Sequence, residues 1–177
     1  MSDLLSHHYN LAHLGNAGDT AVFAADADQR GKIASWAGLL AVERLEAKVD
    51  LRKLGATRYG LDFTLTADIV QACVVTLEPV PAHLEHRFSR ELHFTGGIRR
   101  KLPAAESEVV VLDGDLEEGP EEIESLHYDL AGPVLEELVL ALEPYPRCPG
   151  VEFKSPADGM PAKESPFAAL KNLKSGL

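Results

Sequence analysis

Arg58-Tyr59-Gly60-Leu61-Asp62-Phe63-Thr64-Leu65-Thr66-Ala67-Asp68-Ile69 is the stretch that decides the fold. Tyr59, Leu61, Phe63, Leu65, Ala67 and Ile69 alternate with Arg58, Gly60, Asp62, Thr64, Thr66 and Asp68, the two-residue period of a strand with one face on a core and the other in water. Such alternation belongs to antiparallel sheets, because parallel strands are covered on both faces and read as unbroken apolar runs. Upstream, Leu45, Ala47, Val49 and Leu51 alternate with Glu46, Lys48, Asp50 and Arg52, and Gly55-Ala56 permits a turn between the two runs. Downstream, Leu84, His86, Phe88, Arg90, Leu92 and Phe94 keep the same period against Glu85, Arg87, Ser89, Glu91 and His93. After Cys73, the run Val74-Val75-Thr76-Leu77 stays β-prone, and Pro79 and Pro81 are expected to bend or break it. The centre of the chain thus reads as a β-meander.

Around this centre the pattern changes. His7 to Leu14 is expected to form a short strand, closed by the turn-prone run Gly15-Asn16-Ala17-Gly18-Asp19. A helix is predicted from about Asp26 to Leu40, where Ile33, Trp36, Ala37 and Leu40 recur at helical spacing and Asp26 or Asp28 can accept from first-turn amides. Trp36 reads as a core anchor. Val109-Val110-Val111-Leu112 is a further strand candidate. A second helix is predicted from about Asp129 to Leu142, with Leu130, Val134, Leu135, Leu138, Val139 and Leu142 on one stripe, Asp129 as cap, and Pro144 and Pro146 stopping it. The expected fold is α+β: an antiparallel meander of about five to six strands packed against two helices. Residues 1–145 are expected to form a single domain. Residues 146–177 read as an extended Pro/Lys-containing tail ending in a short docking segment, Ser165-Pro166-Phe167-Ala168-Ala169-Leu170.

The 177 residues are 45% hydrophobic, enough for a genuine core, and only 6% aromatic, which argues against a stacking platform for bases. Acidic residues outnumber Lys and Arg by 28 to 17, for a net charge of −11, and phosphate would repel such a chain from duplex DNA. The charge is uneven. From Leu102 through Glu143 there are 13 acidic residues and no Lys or Arg, immediately after the basic triplet Arg99-Arg100-Lys101. That acidic stretch is either a solvated, self-repelling loop or a surface that recruits a basic partner. The N-terminus lacks a charged-then-apolar leader pattern and no run approaches the ~18 apolar residues of a membrane span. The expectation is a soluble, cytoplasmic protein without membrane contact.

No catalytic signature stands out. Gly96-Gly97 lacks the spaced glycines and the Lys-Ser/Thr pair of a phosphate loop. His7, His8 and His13 form an N-terminal cluster, while His83 and His86 fall on opposite faces of their strand and make a poor chelate. The two cysteines, Cys73 and Cys148, fall short of a structural zinc site. Cys73 reads as a small buried hydrophobe. No cofactor and no catalytic residue is assigned; a small-ligand or metal-binding enzyme on a β scaffold is the alternative.

Three blocks carry a family resemblance: Cys73-Val74-Val75-Thr76-Leu77-Glu78-Pro79-Val80; Asp129-Leu130 through Leu138-Val139-Leu140-Ala141-Leu142 with Pro144-Tyr145-Pro146; and Pro166-Phe167-Ala168-Ala169-Leu170. In this order they resemble the bacterial YceD-like family, the large ribosomal RNA subunit accumulation proteins. The resemblance covers roughly residues 40 to 175, and the Val-Val-Thr-Leu-Glu-Pro wording resembles the alphaproteobacterial form. Many members carry a Cys-x-x-Cys pair at the first block. Here Cys73 matches the first cysteine and Thr76 stands in the place of the second, followed by Leu77, Glu78 and Pro79. The resemblance implies a non-enzymatic ribosome-biogenesis factor that supports accumulation or processing of 23S rRNA. Its partner is then the 23S rRNA precursor itself or a basic ribosomal or processing protein. Direct contact would draw on Arg99, Arg100 and Lys101, with Arg87, Arg90, Lys171 and Lys174; indirect contact would use the acidic Leu102–Glu143 surface.

Overall fold

The computed structural model describes residues 4–96 and 119–152. Seven strands and two helices occur there: β1 (His8–Asn10), β2 (Asp19–Ala24), α1 (Ala27–Ala37), β3 (Ala41–Lys53), β4 (Arg58–Ala72), β5 (Pro79–Phe94), β6 (Glu121–Ile123), β7 (His127–Asp129) and α2 (Ala131–Leu140). The main sheet has the order β2-β3-β4-β5-β6, antiparallel except for a short parallel pairing of β5 with β6, and β1 pairs with β7 in a separate ribbon. The fold is α+β, as the alternation predicts, with one parallel strand pair added.

Strands β3, β4 and β5 run for 13, 15 and 16 residues, so the sheet is about 50 Å long at its centre. The two-residue period decides which face is covered. Leu61, Phe63, Leu65, Ala67 and Ile69 of β4 are buried, together with Leu45, Ala47, Val49 and Leu51 of β3. Phe63 and Phe88, directly opposite across β4 and β5, stack with ring centroids 4.6 Å apart. The register shifts between Val42 and Arg44, and this bulge lets Val42 and Leu45 both turn inward although they are three residues apart. α1 lies against β3 and α2 against β4, adding Ile33, Ala34, Val134, Leu135 and Leu138 to one continuous core.

The helices are shorter than predicted. α1 starts with a reciprocal capping box, in which the Gln29 amide donates to Asp26 Oδ1 at 2.8 Å and the Asp26 amide to Gln29 Oε1 at 2.9 Å. It ends at Gly38, whose φ of +68° suits a residue without a Cβ. Trp36 is 42% exposed and Leu40 55% exposed; the core anchor of this helix is Ile33, and Trp36 lies beside an open surface groove with Leu4. α2 stops at Leu140, two residues early, and Asp129 sits one position before the cap residue Leu130, at the end of β7. Its carboxylate still serves the helix, because Oδ1 accepts from the Ala131 amide at 3.1 Å and from the His7 amide at 2.8 Å.

Three further expectations need correction. The strand expected from His7 to Leu14 is only His8–Asn10, after which Asn10 caps a 3-10 turn over Leu11–His13. Asp19, expected in a turn, opens β2. Pro79 and Pro81 do not break the chain but lie in β5, opposite Ala72 and Val70. There the other side of β5 has no strand partner among the described residues, since β6 pairs only with Leu92–Phe94, and a missing N–H costs no ladder bond. The strand candidate Val109–Leu112, the basic triplet Arg99-Arg100-Lys101 and the segment from Ser165 lie outside the described residues.

Candidate functional site

The family-resembling block Cys73 to Pro79 forms the turn between β4 and β5. Residues expected to stay β-prone instead wrap around a sulfur atom. The Leu77 amide donates to the Cys73 carbonyl at 2.9 Å and the Cys73 amide to the Glu78 carbonyl at 2.8 Å, which closes the turn and places Leu77 at φ +63°. A leucine in this left-handed region is uncommon, and here its side chain is 76% exposed. Inside the turn, Cys73 is fully covered. Its sulfur accepts from the Thr76 amide at 3.5 Å and from the Cys148 amide at 3.4 Å.

The chain after α2 folds back to meet this turn. Gln71 Nε2 donates to the Glu143 carbonyl at 2.9 Å and the Val74 amide to the Pro146 carbonyl at 2.9 Å. These bonds deliver Cys148, whose thiol lies 3.8 Å from Thr76 Oγ1. The Thr76 hydroxyl also lies 3.2 Å from Glu78 Oε2 and takes the Glu78 amide at 3.4 Å. Hydrogen bonding from the Thr76 side chain, then from the Cys148 and Thr76 amides, lowers the Cys73 thiol to about 6 against the burial that raises it. The Thr76 hydroxyl favours the Cys148 thiolate too. Burial, the hydrogen bond with Cys73 and the charges of Cys73 and Glu78 outweigh it, so Cys148 is raised. The donors around Cys73 thus favour ionisation of that sulfur over ionisation of Cys148.

A zinc site needs four donors, mostly Cys and His. This turn supplies two thiols, with a neutral hydroxyl at Thr76. Among the described residues no group of three or more His, Cys, Asp and Glu is placed to hold a metal ion. The donor set does not fit a structural zinc. Cys148 was visible in the sequence, but not that its own amide would reach Cys73. Cys148 itself opens a second four-residue turn, Cys148-Pro149-Gly150-Val151, with Gly150 at φ +77° and the Val151 amide bonded to the Cys148 carbonyl.

Of the bases nominated for phosphate contact, Arg87 and Arg90 lie among the described residues, and both are paired with carboxylates, as are other bases of the sheet. On the outer face of the sheet, Arg44 pairs with Glu46, Lys48 with Asp50, Arg52 with Asp62, Arg58 with Glu91 and Arg87 with Glu85. Arg90, on the opposite face of its strand, reaches Glu136 and Glu137 of α2, both at 3.3 Å. Hydrogen bonds from Lys48 and then Thr20 hold the Asp50 carboxyl below its ordinary range. His83 bonds Asp68 at 2.6 Å on the outer face, while His86 lies 3.3 Å from Glu137, so the two histidines do lie apart. Such exposed pairs add little to stability, yet together they leave the sheet surface balanced rather than basic.

A family model described as "Large ribosomal RNA subunit accumulation protein YceD" matches residues 61–174, well over half of the chain. The chain belongs to the YceD family. The match begins inside β4 and takes in the Cys73–Pro79 turn, α2 and Cys148. The family is named for accumulation of large-subunit ribosomal RNA and not for an enzymatic reaction, which implies the same role for this YceD-family chain. No curated protein and no solved structure matches it. Among the described residues no helix is long and apolar enough to cross a membrane.

Proposed function

We propose that the protein is a non-enzymatic ribosome-biogenesis factor that supports accumulation of the 23S rRNA in the cytoplasm by holding a basic ribosomal or processing protein, rather than by gripping the RNA itself. The neutralised sheet face supports this reading most. A phosphate arriving at Arg44, Lys48, Arg52, Arg58, Arg87 or Arg90 meets a cation that already holds a carboxylate, and it must displace that group against a net charge of −11. A basic protein meets the opposite situation, because the field draws it in and the acidic Leu102–Glu143 stretch offers it partners.

The test is purification of the tagged full chain from cells, with and without ribonuclease, alongside depletion of the protein. A basic ribosomal or processing protein is expected to stay bound after ribonuclease, and depletion is expected to lower 23S rRNA while other RNAs are spared. Loss of every partner on ribonuclease treatment would overturn the protein-mediated route, and unchanged 23S rRNA would overturn the role itself. Reversal of Arg99, Arg100 and Lys101 to Glu is expected to leave the affinity for 23S fragments and its salt slope unaltered; a weaker, shallower dependence would place RNA contact at that triplet.

A further inference from the structure

We propose that Cys73 and Cys148 are a redox-active dithiol, converted by a low-molecular-weight disulfide into an internal disulfide that clasps the β4–β5 turn to the segment after α2. The two sulfurs share one environment: the Cys148 amide donates to Cys73 Sγ at 3.4 Å, and Thr76 meets both, by its amide at 3.5 Å and by its hydroxyl at 3.8 Å. Their accessibility differs. Cys148 is partly exposed and Cys73 is buried, so an oxidant can reach only the first. The amides around Cys73 stabilise negative charge on its sulfur, as a reacting thiolate requires.

The steps balance as follows. Cys148 gives its proton to water and, as thiolate, attacks one sulfur of R–S–S–R; the S–S bond breaks and RS⁻ leaves, taking up a proton as RSH. Cys73 thiolate then attacks Cys148 sulfur in the mixed disulfide, forms the Cys73–Cys148 bond and expels the second RS⁻, which takes a proton from water. Two protein thiols lose two electrons and one small disulfide is reduced to two thiols. The buried partner is the resolving group, because a covered sulfur that already accepts from the Cys148 amide competes with any thiol from solution. Residues 73 and 148 are 75 positions apart, so the clasp closes a long loop. It is expected to raise the melting temperature by roughly 5–15 °C.

The experiment treats the natively folded full chain with oxidised glutathione near neutral pH, followed by intact-mass measurement and peptide mapping. The expected product has lost two hydrogens, carries no glutathione and yields a linked Cys73–Cys148 peptide; dithiothreitol restores the starting mass. Cys73→Ser is expected to retain glutathione on Cys148, and Cys148→Ser is expected to leave Cys73 unmodified until the chain is unfolded. A stable glutathione adduct on the natural chain, a disulfide-linked dimer, or two unreacted thiols would each overturn the proposal. Peptide mapping of the natural chain decides the matter even where a serine variant does not fold.

Discussion

Asp129 is where the N-terminal ribbon and α2 depend on one atom, and Asp129→Ala tests whether they do. Oδ1 accepts from the His7 amide at 2.8 Å and from the Ala131 amide at 3.1 Å. Removing the acceptor from the helix end costs about 1 kcal/mol, as for other capping carboxylates. The His7 amide is part-buried, and leaving a covered donor unmet costs about 1–3 kcal/mol more. The sum is about 2–4 kcal/mol, or a fall in Tm of about 4–16 °C for a chain of this size. Urea unfolding followed by far-ultraviolet circular dichroism measures it, with an unchanged slope showing that the loss is one of stability alone. Asp129→Asn keeps an oxygen acceptor and is expected to lose clearly less than the alanine variant. A loss below about 0.5 kcal/mol in Asp129→Ala would refute the argument, as would equal damage from both substitutions.

Two further outcomes bear on the sulfur turn. Since Cys73 is lowered to about 6 in the fold and an unfolded thiol titrates near 8.5, its contribution to stability is fully present above the unfolded value and is lost as pH falls through about 6. Stability measured across that window should therefore rise with pH in the natural chain relative to Cys73→Ser, and parallel profiles would contradict the thiolate assignment. Thr76→Cys adds a third thiol beside the other two, and it is expected to take up cobalt with strong thiolate-to-metal absorption that the natural chain lacks. Equal uptake by both chains would show that the donor set of the natural turn had been misjudged.

The legible parts of the fold were those where side-chain period alone decides the outcome. Leu61 through Ile69 had to face a core, because slipping the register by one residue would turn all of them into water. A cap at Asp26 or Asp28 was readable, and the reciprocal box with Gln29 decides for Asp26. Elsewhere the deciding contact lay far away in sequence. β1 exists only because β7 pairs with it, more than a hundred residues on. β2 carries little pattern of its own: Val22 is 69% exposed while Ala21 is buried, so β3 and not hydrophobicity makes it a strand. Trp36 misled because size and helical spacing suggested an anchor, whereas α1 turns only Ile33 and Ala34 fully inward. The prolines of β5 misled because strand-breaking depends on which side of the strand has a neighbour, and composition does not carry that information.

The sulfur turn shows the same division from the functional side. Cys73 and Thr76 could be aligned with a family pattern, but the reason the turn survives with a threonine lies in Cys148, Pro146 and Glu143, none of which is adjacent in sequence. A metal ion in such a turn would tie the strand connection to the later segment through its ligands. Here the same two pieces are tied by the Val74 amide to the Pro146 carbonyl, Gln71 to the Glu143 carbonyl and the Cys148 amide to the Cys73 sulfur. Each such bond contributes only about 1 kcal/mol net, but the three act on one junction, and Thr76 fills the remaining space with a hydroxyl that bonds to Glu78. A threonine at position 76 therefore does not loosen the turn. It leaves Cys73 and Cys148 in a cradle of amides, the setting from which the proposed disulfide exchange is argued, while the strand connection keeps its shape.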